Sequence, residues 1–390
     1  MTEVGVFGLL LGLVAGFKAF VHPTRVRIVV FVLAYLLHIA ATLLYFELVK
    51  NGGSDAALYY YDPLEMYKYQ GFKLNTVFVV YVVQIPKSIF GGTYLDYFLV
   101  FQAIGFWGLA ALMRTFEEIY QEIDVTQPVF TYTLFFLPSL HYWTSAIGKD
   151  SLFFFGICIT LWAAMRYRKR LIPLSIGMLL MFAIRPHIAV AAGAAFALAV
   201  LIDRNTRGPV KAIIAAISLA GAAFAIATVW STFGVDLTNV DTYTDMLAGQ
   251  KAMATADFAG RSAVTGSYPI RLLSLLFRPL FFDASGALGL IVSVENVLLL
   301  LILLLMAIHP RATLALVRTV PFVRYALISS SVILLTLAIS YFNVGLGIRQ
   351  KATMILPGIL VAFVALQALI KARRTAALPE QLPAAQPRFS

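Results

Sequence analysis

The sequence predicts an all-α fold: a polytopic membrane protein with about 11 transmembrane helices. Three observations carry that prediction. Hydrophobic residues make up 61% of the chain and charged residues 13%, with a mean hydropathy of +0.86; an ordinary soluble domain carries about 25% charged residues. Several apolar runs reach the roughly 18–20 residues that cross a bilayer as a helix. The basic residues are also distributed unequally about those runs. A soluble nucleotide-binding enzyme and a secreted disulfide scaffold are thereby excluded.

Eleven spans are expected, at about 4–22, 28–48, 97–116, 128–146, 151–166, 171–184, 187–202, 211–231, 286–308, 325–342 and 353–371. The first follows Glu3, has no basic stretch before it and is followed by further spans, so it reads as a retained helix rather than a cleaved signal. The sixth and seventh are short and meet at Arg185-Pro186-His187, as two tilted helices or as a broken hairpin. Two long segments, 49–96 and 232–285, separate spans. Inside them FKLNTVFVVYVVQIPKSIFG (72–91) and IRLLSLLFRPLFFD (270–283) are apolar enough to lie in the membrane interface as helices. Residues 1–371 are expected to form one integral membrane domain, and the Ala/Pro-rich stretch 372–390 a disordered tail.

The net charge is +11. On a soluble chain this would suggest nucleic acid. Here the excess falls on one set of loops, including Lys18, Arg25, Arg27, Arg166, Arg168, Lys169, Arg170, Arg373 and Arg374, while the opposite set is near neutral. The positive-inside bias makes the basic face cytoplasmic. The N-terminus and both long segments are then external, the C-terminal tail is cytoplasmic, and nucleic acid is not an expected partner. Cys158, the one cysteine, can form neither an internal disulfide nor a cysteine metal site. No metal and no cofactor are expected.

Charges beside apolar runs at a membrane are costly and point to function. On the first long segment, SDAALYYYDPLEMYKYQ offers Asp55, Asp62 and Glu65. A carboxylate there can act as general base on a sugar hydroxyl. Asp62-Pro63-Leu64-Glu65 equally fits a helix start, with Asp62 as cap and Glu65 in the first turn, which leaves Asp55 as the favoured base. The tyrosines at 59, 60, 61, 67 and 69 suit either sugar stacking or an interfacial aromatic belt. PSLHYWTSAIGKDS (138–151) brings His141, Lys149 and Asp150 to an expected external turn. Lys149 can bind phosphate or reach lipid headgroups, and Asp150 can cap the helix that follows.

Arg185 and His187 lie between two apolar runs, where an arginine needs an anion or water; pairing with Asp150 is the structural alternative to phosphate. Arg271 and Arg278, seven residues apart, share a helical face, and Arg261 precedes them. Arg349 and Lys351, in NVGLGIRQKATMILP, flank the last span, with Lys351 fitting an ordinary anchor. Guanidinium forks suit a diphosphate. One acid with several cations on one face of the membrane is what glycosyl transfer from a polyprenyl-diphosphate sugar requires: a base for the acceptor hydroxyl and cations for the departing phosphate.

The segments SDAALYYY, PSLHYWTSAIGKDSL, IRPHIA, LLFRPLFFD and GIRQKATMILP, spread over 54–357, resemble bacterial polysaccharide polymerases of the Wzy and EpsG type. The resemblance implies a multi-pass protein of the bacterial inner membrane. It would polymerise lipid-linked repeat units of a surface polysaccharide on the outer face, without a metal, with arginines handling the diphosphate. GT-C glycosyltransferases are a related resemblance, because they place a catalytic acid in the first large external loop, as Asp55 would be. The chain departs from these families in lacking an Asp-x-Asp pair, and from polymerases in its odd span count. The implied partners are a polyprenyl-linked saccharide donor, a saccharide acceptor, membrane lipid and other polysaccharide-assembly proteins. Asp55, Arg185, Arg278 and Arg349 are the expected catalytic residues. Asp62, Glu65, His141, Lys149, His187, Arg261, Arg271 and Lys351 are the expected substrate-binding ones. A single-sugar transferase and a transporter of lipid-linked saccharide are the alternatives; a transporter predicts charges deep within spans, where Lys18 and His38 are the candidates.

Overall fold

Backbone N–H and C=O groups surrounded by hydrocarbon must be satisfied within the protein, which leaves helices as the simplest solution for such an apolar chain. The computed structural model, which describes residues 2–20, 22–51, 54–62, 74–233, 248–249, 264, 266–339 and 341–377, is built of helices and contains no β-strand among those residues. Among the described residues, five helical stretches are long and apolar enough to cross a membrane: Arg25–Val49, Tyr94–Glu122, Gly286–Ile308, Pro321–Ile339 and Val344–Ala376. The chain divides into two units, Met1–Arg185 with Pro357–Ser390, and Pro186–Leu356.

In the first unit the helices are α1 (Glu3–Val14), α2 (Gly16–Ala19), α3 (Arg25–Val49), α4 (Asp55–Tyr61), α5 (Thr76–Phe90), α6 (Tyr94–Glu122), α7 (Phe130–Thr133), α8 (Pro138–Thr144), α9 (Lys149–Met165) and α10 (Leu171–Ile184). A 3-10 turn, Leu134–Phe136, joins α7 to α8. The most buried of the long helices confined to this unit is α6, which packs against α1, α2, α3, α8 and α9. Its start is set by a capping box in which Thr93 and Asp96 bond each other's backbone N–H. Gly105 permits the closest crossing: a Cβ there would collide with the Thr144 carbonyl of α8. Between α9 and α10, a Cβ on Gly177 would lie 2.7 Å from the Gly156 carbonyl. Small residues let membrane helices approach in this way.

The expected span at 128–146 is not one helix but α7, the 3-10 turn and α8. Pro138 supplies no N–H, and Leu137 before it is extended, as the residue ahead of a proline prefers. At one end of α6, Glu117 and Glu118 are buried in an ion-pair network. Glu118 accepts from Arg114 and Arg170, each at 2.7 Å, and from Trp162 Nε1 at 3.1 Å. Glu117 accepts from Arg27, from Gln121 at 3.0 Å and from the backbone N–H of His22 at 3.0 Å.

The second unit holds α11 (Pro186–Leu201), α12 (Gly208–Phe233), α13 (Tyr268–Phe277), α14 (Gly286–Ile308), α15 (Pro310–Thr319), α16 (Pro321–Ile339) and α17 (Val344–Gln350). One π-helical turn, Lys351–Ile355, follows α17 and leads into α18 (Leu356–Ala377), which from Pro357 onward belongs to the first unit. Within this unit α16 packs against α11, α13, α15 and the π turn. Arg324 of α16 is buried. Its guanidinium donates to the carbonyls of Ala199 (2.6 Å), Val317 (2.6 Å) and Arg318 (2.5 Å). Those carbonyls belong to the last turns of α11 and α15, which have no intrahelical donor, so one side chain closes two helix ends.

The apolar stretches read from 72–91 and 270–283 are helical over Thr76–Phe90 and Tyr268–Phe277.

Candidate functional site

In the first unit, α4 opens the candidate site. Ser54 is its extended N-cap residue, so Asp55 stands in the first turn, where a carboxylate is favoured by the helix dipole. Asp62 ends the same helix, its N–H bonded to the Leu58 carbonyl. The helix start proposed for Pro63–Glu65, with Glu65 itself, lies outside the described residues, as do Tyr67, Tyr69 and Arg261. Tyr59 and Tyr60 are buried while Tyr61 is exposed. The first two therefore belong to the protein interior rather than to an interfacial belt.

The carbonyls at the end of α4 are satisfied from α5. Gln84 Nε2 donates to the carbonyls of Tyr59 (2.9 Å) and Tyr60 (2.7 Å). Lys87 donates to the Tyr60 carbonyl at 2.7 Å and lies 3.8 Å from the centre of the Tyr60 ring. Sequence reading did not single out either residue. Their signal is two polar groups three apart on one face of an apolar helix.

The start of α9 faces this assembly. A Cβ on Gly148 would lie 3.7 Å from the Tyr59 ring. Lys149, the first residue of α9, donates to Thr76 Oγ1 at 2.8 Å. Asp150 is buried and does not act as the N-cap, a position Gly148 takes. Instead it accepts from Arg185 Nη2 at 3.3 Å. Arg185 follows α10 as its C-cap residue. The Asn75 N–H donates to the Ala183 carbonyl at 2.7 Å, with Asn75 at a positive φ of 68°. Thus Lys149, Asp150 and Arg185 come together beside α4 and the start of α5.

His141 stands elsewhere in the same unit. It is buried, with Nδ1 3.1 Å from His38 Nδ1 and Nε2 2.7 Å from the Phe135 carbonyl, an interior position rather than an external turn.

The second unit has its own cluster of cations. Arg278 follows α13 as its extended C-cap residue, so it does not share a helical face with Arg271 as the spacing suggested; it pairs with Asp283, which also accepts from the Leu280 N–H. Arg271 Nη1 donates to the Ile339 carbonyl at 2.5 Å, and its guanidinium lies 5.1 Å from the Phe342 ring centre. Arg349 is half-buried in the last turn of α17. His187, the second residue of α11, is exposed. Lys351 is not the flanking anchor its position suggests: it is 5% exposed, donating to the Leu276 carbonyl at 2.9 Å and to Asn296 Oδ1. Asn296 Nδ2 in turn donates to the Pro279 carbonyl at 2.7 Å. Lys351 and Asn296 therefore grip the backbone on both sides of Arg278. The sequence signal for Asn296 was a lone amide in a long apolar helix.

The chain matches no family model, no curated protein and no solved structure.

Proposed function

We propose that this protein is a membrane-embedded glycosyltransferase that takes its sugar from a polyprenyl-diphosphate-linked saccharide, acts on the external face of a bacterial inner membrane, and polymerises repeat units of a surface polysaccharide. The observation that carries the reading is the meeting of Lys149, Asp150 and Arg185 in the same unit as the helix that starts at Asp55. It supplies two cations of the kind that transfer from a diphosphate uses, and Asp55 of the same unit supplies the carboxylate.

In this reading Asp55 takes the proton of the acceptor hydroxyl. The hydroxyl oxygen bonds to the anomeric carbon as the bond from that carbon to the phosphate oxygen breaks. Arg185 and Lys149 stabilise the negative charge growing on the leaving diphosphate. Arg278 and Arg349 of the second unit are further candidate phosphate ligands. Eleven spans, an external N-terminus and a cytoplasmic C-terminus complete the proposal, supported by the loop charge bias.

The test is purified protein incubated with lipid-linked saccharides, the lipid-linked pool being followed by mass spectrometry. A ladder spaced by whole repeat units is the expected result. A single added sugar mass would replace polymerisation by single-sugar transfer. An unchanged pool with intact donor would overturn glycosyl transfer.

A further inference from the structure

The described interior of the first unit contains a pair of ionisable side chains that the proposed chemistry does not use. His38 lies near the middle of α3, one of the helices long and apolar enough to cross a membrane. His141 lies on α8. Both are 1% exposed. An ionisable residue at such depth is a functional candidate by default, and its partner has to be named; here each is the other's partner.

The hydrogen count is constrained on three sides. His38 Nε2 is 3.0 Å from the Gln102 carbonyl, and His141 Nε2 is 2.7 Å from the Phe135 carbonyl. A carbonyl oxygen only accepts, so each Nε2 carries a hydrogen. If both rings were neutral, each Nδ1 would then be a bare lone pair, and the two would face each other at 3.1 Å. Moving one hydrogen to Nδ1 only transfers the conflict, because an Nε2 lone pair would then face a carbonyl oxygen. One additional proton removes every conflict, with an N–H···N bond of normal length between the rings.

The groups facing the pair are Gln102 and Phe106 from α6 and Phe135 from the 3-10 turn, and Thr42 donates to the His38 backbone carbonyl. Tyr35, bonded by Gln102 Nε2 at 3.4 Å, is the nearby titratable side chain. Among the described residues no carboxylate, lysine or arginine pairs with either histidine, so burial opposes the charge and the two carbonyl dipoles and the shared bond must offset that cost. Nor does a third metal-binding side chain join the two, which leaves the proton as the ligand whose coordination the geometry completes.

We propose that His38 and His141 form a proton-binding site inside the membrane-spanning part of the first unit, holding one excess proton between their Nδ1 atoms. The pair is then a buried monocation with three ring hydrogens, and loss of that proton sets two lone pairs against each other across the contact of α3 with α8. The site is independent of the glycosyl-transfer reading.

The test is imidazole 15N NMR of the full chain in lipid nanodiscs at neutral pH. His22, His187 and His309 are each replaced by Gln, so that only the pair is labelled, and the wild-type spectrum serves as the reference for a native fold. The expected result is two protonated Nε2 atoms and a through-hydrogen-bond coupling between the two Nδ1 atoms, unchanged by chelator. Two bare Nδ1 atoms without coupling, or an Nε2 without its hydrogen, would overturn the proposal. A spectrum altered by chelator would overturn it in favour of a metal.

Discussion

Arg185 Nη2 stands 3.3 Å from Asp150 Oδ1, tying the residue that closes α10 to the second residue of α9. Both side chains are largely removed from solvent. Removing one member of a buried pair costs about 3–5 kcal/mol, because the other charge stays buried. Arg185→Ala is therefore expected to lower the midpoint of thermal unfolding more than Arg185→Lys, which keeps the charge. Equal midpoints for the two variants would show that the pair does not hold α9 to α10.

The proposed glycosyl transfer is tested separately from that structural role at Asp55. Loss of a positioned general base lowers rate by about 10²–10⁴-fold. Asp55→Asn keeps the side-chain shape and is expected to lose product at that scale in the mass-spectrometric assay while inserting and unfolding as wild type. Undiminished product would remove Asp55 from the proposed chemistry.

Lys87 and Gln84 together satisfy the carbonyls that end α4. A lost hydrogen bond of this kind costs about 1 kcal/mol, and α4 is a helix of only 7 residues. Lys87→Met is expected to speed amide hydrogen exchange over residues 55–61 and leave α6 unchanged. Exchange raised equally in both helices would point instead to a general loss of stability.

Gly105 faces the Thr144 carbonyl across the crossing of α6 and α8. Gly105→Ala must push the two backbones apart, and overpacking of this kind costs about 1–3 kcal/mol. Chemical or thermal unfolding should show that loss, whereas Gly193→Ala, where a Cβ meets nothing within 4 Å, should be neutral or mildly stabilising.

Arg324 and Arg318 lie six residues apart and differ completely in surroundings. Arg324→Met removes the donor of three helix-end carbonyls, of which the buried Ala199 carbonyl costs about 1–3 kcal/mol when left without a donor. Arg318 is exposed, and Arg318→Ala is expected to fall within about 0.5 kcal/mol of wild type. Comparable unfolding curves for the two variants would contradict the helix-closing role of Arg324.

Helical character was readable from the chain at most positions, because long apolar runs leave little else for the backbone to do. The exception is instructive. Residues 128–146 have the composition of a span, but Pro138 and the extended Leu137 divide them, and the division is what points His141 at His38. Local roles were harder to read. Asp150 could be read as a helix cap or as a partner of Arg185, and it is the buried partner, with Gly148 in the cap position. Lys351 looked like a surface anchor and is an internal clamp on the turn that carries Arg278. In each case the residue's own neighbourhood in sequence was a fair description of its helix and a poor one of its contacts.

Composition, run length and charge bias thus determine by themselves that this chain is helical and suited to a membrane, since those properties depend on transfer of whole segments out of water. The partners of individual polar groups were decided only in the tertiary structure. A buried donor must find an acceptor somewhere, but the nearest acceptor lies on another helix, at a distance in sequence (103 residues for His38 and His141) that no local pattern encodes.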